Sequence, residues 1–392
     1  MSSKEWVILG DCNGHAVKLK RYVVCPHNSG QDSKHRDHSR VSKLAMAMVA
    51  PRVLDTLEQD AERSAFIELD PTGFFIRHPP KPHELSTFIT PEDQLFQTIH
   101  MGAAVVDHKA WTLVIDGLVQ RPFALSLELL KQLPSRTVTS VHECFESPLK
   151  PATSALWRVG NVQWTGVPLN ALLELARPLP QAQYVWSEGL DRGAFATIEV
   201  ERYQKDLPLD KALRDEVLVA YELNGKPLTK HQGAPVRLVV PDWLGTNSTK
   251  WLCKLSLQSS RAPSPFTTVL YNVRDSGSGK MRPVWQTDIS SMIVHPAPDA
   301  MVPAELHYEG WAWAEGDVKA VVVSIDDGQS WSDAAVSARV QYSWQKFTGT
   351  LKLPPGINTL TARATSVDGT TQPLAGSRNH CHSVTFTATN DT

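Results

Sequence analysis

The sequence predicts an α+β domain followed by an all-β, immunoglobulin-like sandwich. Two observations carry the prediction. From about residue 66 to 262, short strand-like runs alternate with short helical ones, the mixture expected of α+β layers. From about 287 onward, apolar and polar residues alternate with period two between turn signals for about a hundred residues, which suits a sandwich. A length of 392 residues with 42% hydrophobic content leaves room for two or three separately packed units.

Taken in order, residues 1–65 read as a partly flexible N-terminal extension. It is His-rich around CPHNSGQDSKHRDHSR and then helical in pattern through VSKLAMAMVAPRVLDTLEQDAER. Cys12, Cys25, His15, His27, His35 and His38 are zinc-ligand types, but their spacing matches no standard finger. Mobile polar surface is the stronger reading there. Residues 66–262 then bring WTLVIDGLV (Trp111 to Val119), a helix LSLELLKQL (Leu125 to Leu133), and TVTSVHEC, VPLNALLELA, EVLVAYELNG and APVRLVVP. Residues 263–286, rich in Pro, Ser, Gly and Arg, read as a connection.

The sandwich occupies 287–390. In KAVVVSIDDGQSW, Val321, Val323 and Ile325 share one face before the turn Asp326-Asp327-Gly328. TGTLKLPPGINTLTARATSVDG repeats the pattern, broken at Pro354, Pro355 and Gly356. Trp311, Trp313 and Trp331 read as sandwich core.

A net charge of -2 supplies no basic field, so no nucleic-acid partner is expected. Five cysteines without CxxC spacing argue against a disulfide framework and for a reducing compartment. No signal peptide or membrane span is recognised, LAMAMVAP being too short to cross a bilayer. The expected location is therefore cytoplasmic.

The chemistry concentrates in VHECFESPLKPATSALWRVGNVQWTGVPL, where a strand delivers Cys144 to a proline-broken loop. Residue type alone favours a small buried hydrophobe. A nucleophile would need a histidine within reach, and His142, two residues earlier on an extended strand, points to the same side. A thiolate is also a soft metal ligand, and one protein sulfur suffices where a cofactor supplies the others.

The run HEC…VGNVQWTGVPLNALL, then SEGLD, LPLDKALRDEVLVAYELNGKPL, GAPVRLVVP and NSTKWL, resembles the molybdopterin-binding domain of the sulfite oxidase family. GWAWAEGDVKAVVVSIDDGQSW, VQYSWQKF and ATSVDGTTQP resemble that family's immunoglobulin-like dimerisation domain. The resemblance implies a sulfite oxidase-type molybdopterin-binding domain at 66–262, a homodimer, and a molybdenum-molybdopterin cofactor. It makes Cys144 the metal ligand, beside the pterin's dithiolene sulfurs. Phe96, His100, Asp191, Gln232, Arg237, Ser248, Thr249 and Lys250 fall at cofactor-binding positions, with Ser248 and Thr249 acting through their main chain. Tyr203 falls at the family's active-site tyrosine.

Four departures touch the substrate. Thr98 and Ile99 stand where the family's F-x-R-N-H segment has arginine and asparagine, Leu149 stands where a sulfite-binding arginine is expected, and Gln232 replaces a common histidine. Neither threonine nor leucine replaces a guanidinium fork on an oxyanion. Glu146 would add negative charge if it pointed inward. The implied function is two-electron oxygen-atom transfer on a small, sulfur-containing substrate, with sulfite itself in question. No HPGG-type haem signature occurs, so no built-in haem is expected and electrons pass to an external acceptor: a c-type cytochrome, a quinone or oxygen. The alternative is a non-catalytic cofactor-binding or assembly scaffold of the same fold.

Overall fold

The computed structural model describes residues 65–145, 147, 157–274, 278–376 and 378–389. The His-rich extension with its zinc alternative lies outside these residues, as do Glu146, Leu149 and Lys150.

Two five-stranded sheets build the first part of the chain. One runs Gln204–Pro208, Tyr184–Gly189, Leu252–Gln258, Thr112–Gly117, Phe123–Ser126, with Leu252–Gln258 and Thr112–Gly117 parallel. The other runs Lys226–Pro227, Leu218–Leu223, Val159–Pro168, Arg136–Glu143, with Arg237–Val239 also paired to Leu218–Leu223. Local chemistry fixes several turns. Ser126 caps the helix Leu127–Gln132, its Oγ accepting from the Leu129 N–H at 3.3 Å. That helix is shorter than the Leu125–Leu133 expected, because Phe123–Ser126 pairs with Thr112–Gly117 first. Asn224 and Gly225 both take positive φ, 49° and 76°, and turn LVAYEL into the hairpin that ends at Lys226–Pro227.

Within this part, an apolar core containing Trp111, Leu113, Ile115, Leu172, Val185 and Leu255 lies under the first sheet. The amphipathic helix Leu169–Ala176 closes it with Leu169, Leu172, Leu173 and Ala176 buried. The segment expected as a connection carries a short helix, Pro265–Thr268, and a hairpin, Asn272–Arg274 with Met281–Pro283.

Eight strands form the sandwich, in the order Ser290–His295, Glu305–Trp313, Gln345–Lys352, Ser332–Val336, Val318–Ser324, Gly356–Ser366, His382–Ala388, Met301–Val302. Ser332–Val336 pairs with both Gln345–Lys352 and Val318–Ser324, so it joins the two faces. Between them pack Leu306, Tyr308 and Phe347 from one face and Val321, Val323, Leu360 and Phe386 from the other. Val321 and Val323 share the buried face, as their alternation predicts.

The tryptophans correct one expectation. Trp311 and Trp313 are buried, yet they cluster with Trp157, Trp344 and Leu85 at the junction of the sandwich with the first part. Trp311 stacks on Trp344 at 4.7 Å, and their indole N–H groups donate to Leu85 O and Phe88 O. Trp331 is not core: it is half-exposed and lies over the turn at Gly328. Among the described residues, no helix is long and apolar enough to cross a membrane.

Candidate active site

The strand Arg136–Glu143 ends against the start of Val159–Pro168, with Glu143 opposite Val159. The ladder continues one step further, the Cys144 N–H donating to Arg158 O at 2.9 Å. That bond sets the thiol at the wall of a cleft. Cys144, 9% exposed, is the one cysteine among the lining residues.

Opposite it comes Thr98, from the strand Gln97–Ile99, whose Oγ1 lies 3.9 Å from the Cys144 Sγ. The Arg158 guanidinium donates to the same Oγ1 at 3.3 Å, and Lys250 Nζ donates to the Thr98 carbonyl at 3.1 Å. Lys250 also reaches His231 O at 2.9 Å. Arg237 donates to the carbonyls of Gln232 and Ser248 at 3.1 and 3.2 Å and lies over the Trp164 ring. Gly233, at φ +101°, lets the chain pass this crowded point: a Cβ there would stand 2.7 Å from Lys250 Cβ.

Burial dominates the electrostatics. It lowers Lys250 to about 7, with the Arg237 charge adding to the shift, and lowers Arg237 to about 9. Asp191 is raised to about 7, again chiefly by burial, with Lys250 opposing. His100 is pushed down to about 3 by burial and then by Lys250, Arg158 and Lys205, so its ring is neutral at physiological pH. His142 is lowered the same way; its ring stacks on Phe96 at 5.3 Å and meets Trp164 edge-on.

Most residues singled out in the sequence meet here. Phe96, His100, Cys144, Asp191, Tyr203, Gln232, Arg237, Ser248 and Lys250 all line the cleft. Thr249 does not: it stands fully buried behind the wall, its hydroxyl 2.7 Å from Ser187 Oγ and its carbonyl accepting from Leu238 N. The Ser248 N–H donates within its own turn, to Gly245 O. Gln232 spends its side-chain oxygen on the Thr229 N–H. The Tyr203 hydroxyl donates to Thr246 O at 2.6 Å, which leaves its oxygen as an acceptor.

Sequence reasoning missed Arg158, Thr246 and Tyr271. Arg158 is 1% exposed and lines the cleft; the signal was a charged residue inside the otherwise apolar ALWRVGN. Tyr271 sits in the segment taken for a connection, its hydroxyl 2.5 Å from His100 Nε2.

The chemistry of this donor set suits an anionic, polar cofactor bearing a metal. The partners of Arg237 and Lys250 are main-chain carbonyls rather than carboxylates, so their positive charge is free to meet an anion. Arg237 Nε, Asp191 Oδ1 and Thr246 Oγ1 are buried on the cleft wall without a hydrogen-bond partner, a state buried polar atoms rarely keep without a ligand or water. Among the described residues no three His, Cys, Asp or Glu side chains converge on a metal site.

Comparison with known proteins gives the same picture. Residues 100–266 match the family model for an oxidoreductase molybdopterin binding domain, and residues 281–380 that for a Mo-co oxidoreductase dimerisation domain. The chain is 29% identical over 313 residues to sulfite oxidase of Gallus gallus, covering 74% of this chain and 67% of that protein. It is 25% identical over 361 residues to a nitrate reductase [NADPH] of Beauveria bassiana, covering 81% of this chain but only 37% of that one. Its fold superposes on the sulfane dehydrogenase SoxCD from Paracoccus pantotrophus with a TM-score of 0.68 and 26% identity, covering 82% of this chain and 86% of that chain. The α+β part followed by a β-sandwich, the cation-lined cleft at Cys144 and these matches make the chain a divergent member of the sulfite oxidase family, a molybdopterin-dependent oxidoreductase.

Proposed function

We propose that this oxidoreductase carries out two-electron oxygen-atom transfer on a small, sulfur-containing substrate, with Cys144 as the protein's ligand to molybdenum. The observation that carries the reading is the single thiol on the wall of a cleft whose cations Arg237 and Lys250 face main-chain carbonyls. The cofactor supplies an exchangeable oxygen and a two-electron couple when bound. The chain's part is to bind and to orient. Arg237 and Lys250 neutralise the pterin's phosphate, Asp191 and the Gln232 and Ser248 turns receive its polar edges, and Phe96 and His142 wall the thiol. Tyr203, its proton held on Thr246 O, offers an oxygen that accepts a hydrogen bond from a protonated substrate.

The cofactor-binding unit is taken as 66–262 and the sandwich as 287–390, the latter forming a homodimer through the match to a dimerisation domain. Electrons pass to an external acceptor, a c-type cytochrome, a quinone or oxygen. A reducing cytoplasm suits five cysteines that lack CxxC spacing.

Metal and pterin analysis of protein made in a host able to synthesise the cofactor tests the reading. Molybdenum and pterin at one each per chain are expected, with the molybdenum spectrum altered in Cys144→Ser. A preparation free of both leaves the non-catalytic scaffold; an unaltered Cys144→Ser spectrum removes the ligand role.

A further inference from the structure

The hairpin Asn272–Arg274 with Met281–Pro283 brings a second tyrosine to the cleft. Tyr271, immediately before it, takes a positive φ of 56°, a conformation that a bulky residue keeps only where its surroundings impose it. Several bonds impose it here. The Asn272 side-chain amide donates to Thr267 O and Leu270 O, both at 2.8 Å, and the Val284 N–H donates to Tyr271 O at 3.0 Å. Lys205, 1% exposed, donates to Phe266 O at 2.9 Å and holds its ammonium 5.5 Å from the centre of the Tyr271 ring. Burial lowers that ammonium to about 8, so it is still charged at pH 7. The tyrosine so held meets His100, whose Nε2 lies 2.5 Å from its hydroxyl.

The two partners differ in what they can offer. His100 is neutral, held so by burial and by Lys250, Arg158 and Lys205, so only one of its ring nitrogens carries a proton. A phenol is the stronger acid of the pair and an imidazole nitrogen the stronger base, so the hydroxyl donates and Nε2 accepts. The ring's own proton then sits on Nδ1. We infer that Tyr271 is a positioning residue: it fixes His100 in the Nδ1–H tautomer, so that a neutral hydrogen-bond donor meets the cofactor in the cleft that both residues line. Arg158, Arg237 and Lys250 already bring positive charge to that cleft. A further buried charge at His100 would be costly, whereas a neutral N–H adds a donor for the cofactor's acceptor atoms without it. This inference rests on the reading of the cleft as a cofactor site, and adds to it a residue 171 positions from the histidine it orients.

Nitrogen NMR of the cofactor-free protein, its histidine rings labelled with nitrogen-15, tests the inference, because protonated and bare ring nitrogens resonate far apart. His100→Gln identifies the His100 signals among the 14 histidines. At pH 7 the parent should show Nδ1 protonated and Nε2 bare. Tyr271→Phe, which keeps the ring and loses the hydroxyl, should move the proton largely to Nε2. A parent with Nε2 protonated would overturn the inference without any variant, and so would a Tyr271→Phe protein whose tautomer is unmoved. In the loaded protein, Tyr271→Phe should release its pterin about three- to tenfold faster, the worth of one hydrogen bond. Release at the parent's rate would overturn the link from tautomer to cofactor. The two readings fail separately: absence of molybdenum and pterin removes the proposed function while the tautomer is still read, and a bare Nδ1 in the parent removes this inference alone.

Discussion

Arg378 of the sandwich donates to the carboxylate of Glu143, the residue before Cys144, at 3.0 Å. The Trp313 indole N–H occupies the other carboxylate oxygen at 3.0 Å, and the same arginine nitrogen reaches Ser147 O at 2.9 Å. The sandwich thus grips the chain on both sides of the thiol. Glu143 is fully buried, and burial raises its pKa while Arg378 pulls it back.

Removing the cation should therefore cost more than a surface ion pair. Arg378→Ala is expected to destabilise the protein by about 3–5 kcal/mol, the usual cost of stranding a buried charge. The sign with pH follows: at pH below 4.5 the carboxyl is protonated in folded and unfolded chains alike, and the cost is absent. It grows as pH rises from 4.5 through the folded-state value. Urea titrations at pH 4 and pH 8 check this, and Glu143→Gln in the Arg378→Ala background should return most of the loss at pH 8.

Much of the fold was legible in local signals: the Ser126 cap, the Asn224-Gly225 turn and the alternation at Val321 and Val323 each act within a few residues. The site was legible mainly through resemblance, and what escaped was non-local. His100 and Tyr271 meet across 171 residues, and Glu143 and Arg378 across 235. Nothing in either sequence neighbourhood encodes the partner. Trp311 and Trp313 read as sandwich core because burial is what their apolarity dictates, but periodicity cannot tell which neighbour does the burying.

That junction gives a second prediction. Trp344 stacks on Trp311 with an interplanar angle of 8° and is fully buried. Trp344→Ala should cost about 3–5 kcal/mol, as large aromatic truncations in cores do. Because the stack lies between the two parts, differential scanning calorimetry should resolve two transitions in the variant where the parent shows one.

Thr98 supplies a third. Its hydroxyl accepts from Arg158 and its carbonyl from Lys250, so Thr98→Arg places a third cation beside two. Stability should fall by about 1–3 kcal/mol through overpacking and like charge, read as a lower thermal midpoint. At the same time sulfite, if it turns over, should show a lower apparent KM, since the new guanidinium restores an oxyanion grip. An unchanged KM would show that Arg158 already supplies that grip.

Lys250 makes the site's anion affinity depend on pH. With its ammonium lowered to about 7 by burial and by Arg237, the side chain of the cofactor-free protein is largely neutral at pH 8.5, whereas an unfolded lysine stays charged up to 10.5. The unfolded chain then binds more protons between about 7 and 10.5, so lysine titration stabilises the cofactor-free fold as pH rises through that window. An anion at the site reverses the preference by favouring the charged form. Binding of a phosphate-bearing pterin at pH 8.5 should therefore take up a proton and weaken relative to pH 6.5. Titration calorimetry in two buffers of different ionisation enthalpy measures the uptake directly, and Lys250→Met, which keeps the length without the charge, should abolish both the uptake and the pH dependence. Asp191, raised to about 7, is already ionised at pH 8.5 and has no proton to release there, so Asp191→Asn should leave a proton uptake at that pH, and loss of the uptake in that variant would place the bound proton on Asp191 instead of Lys250.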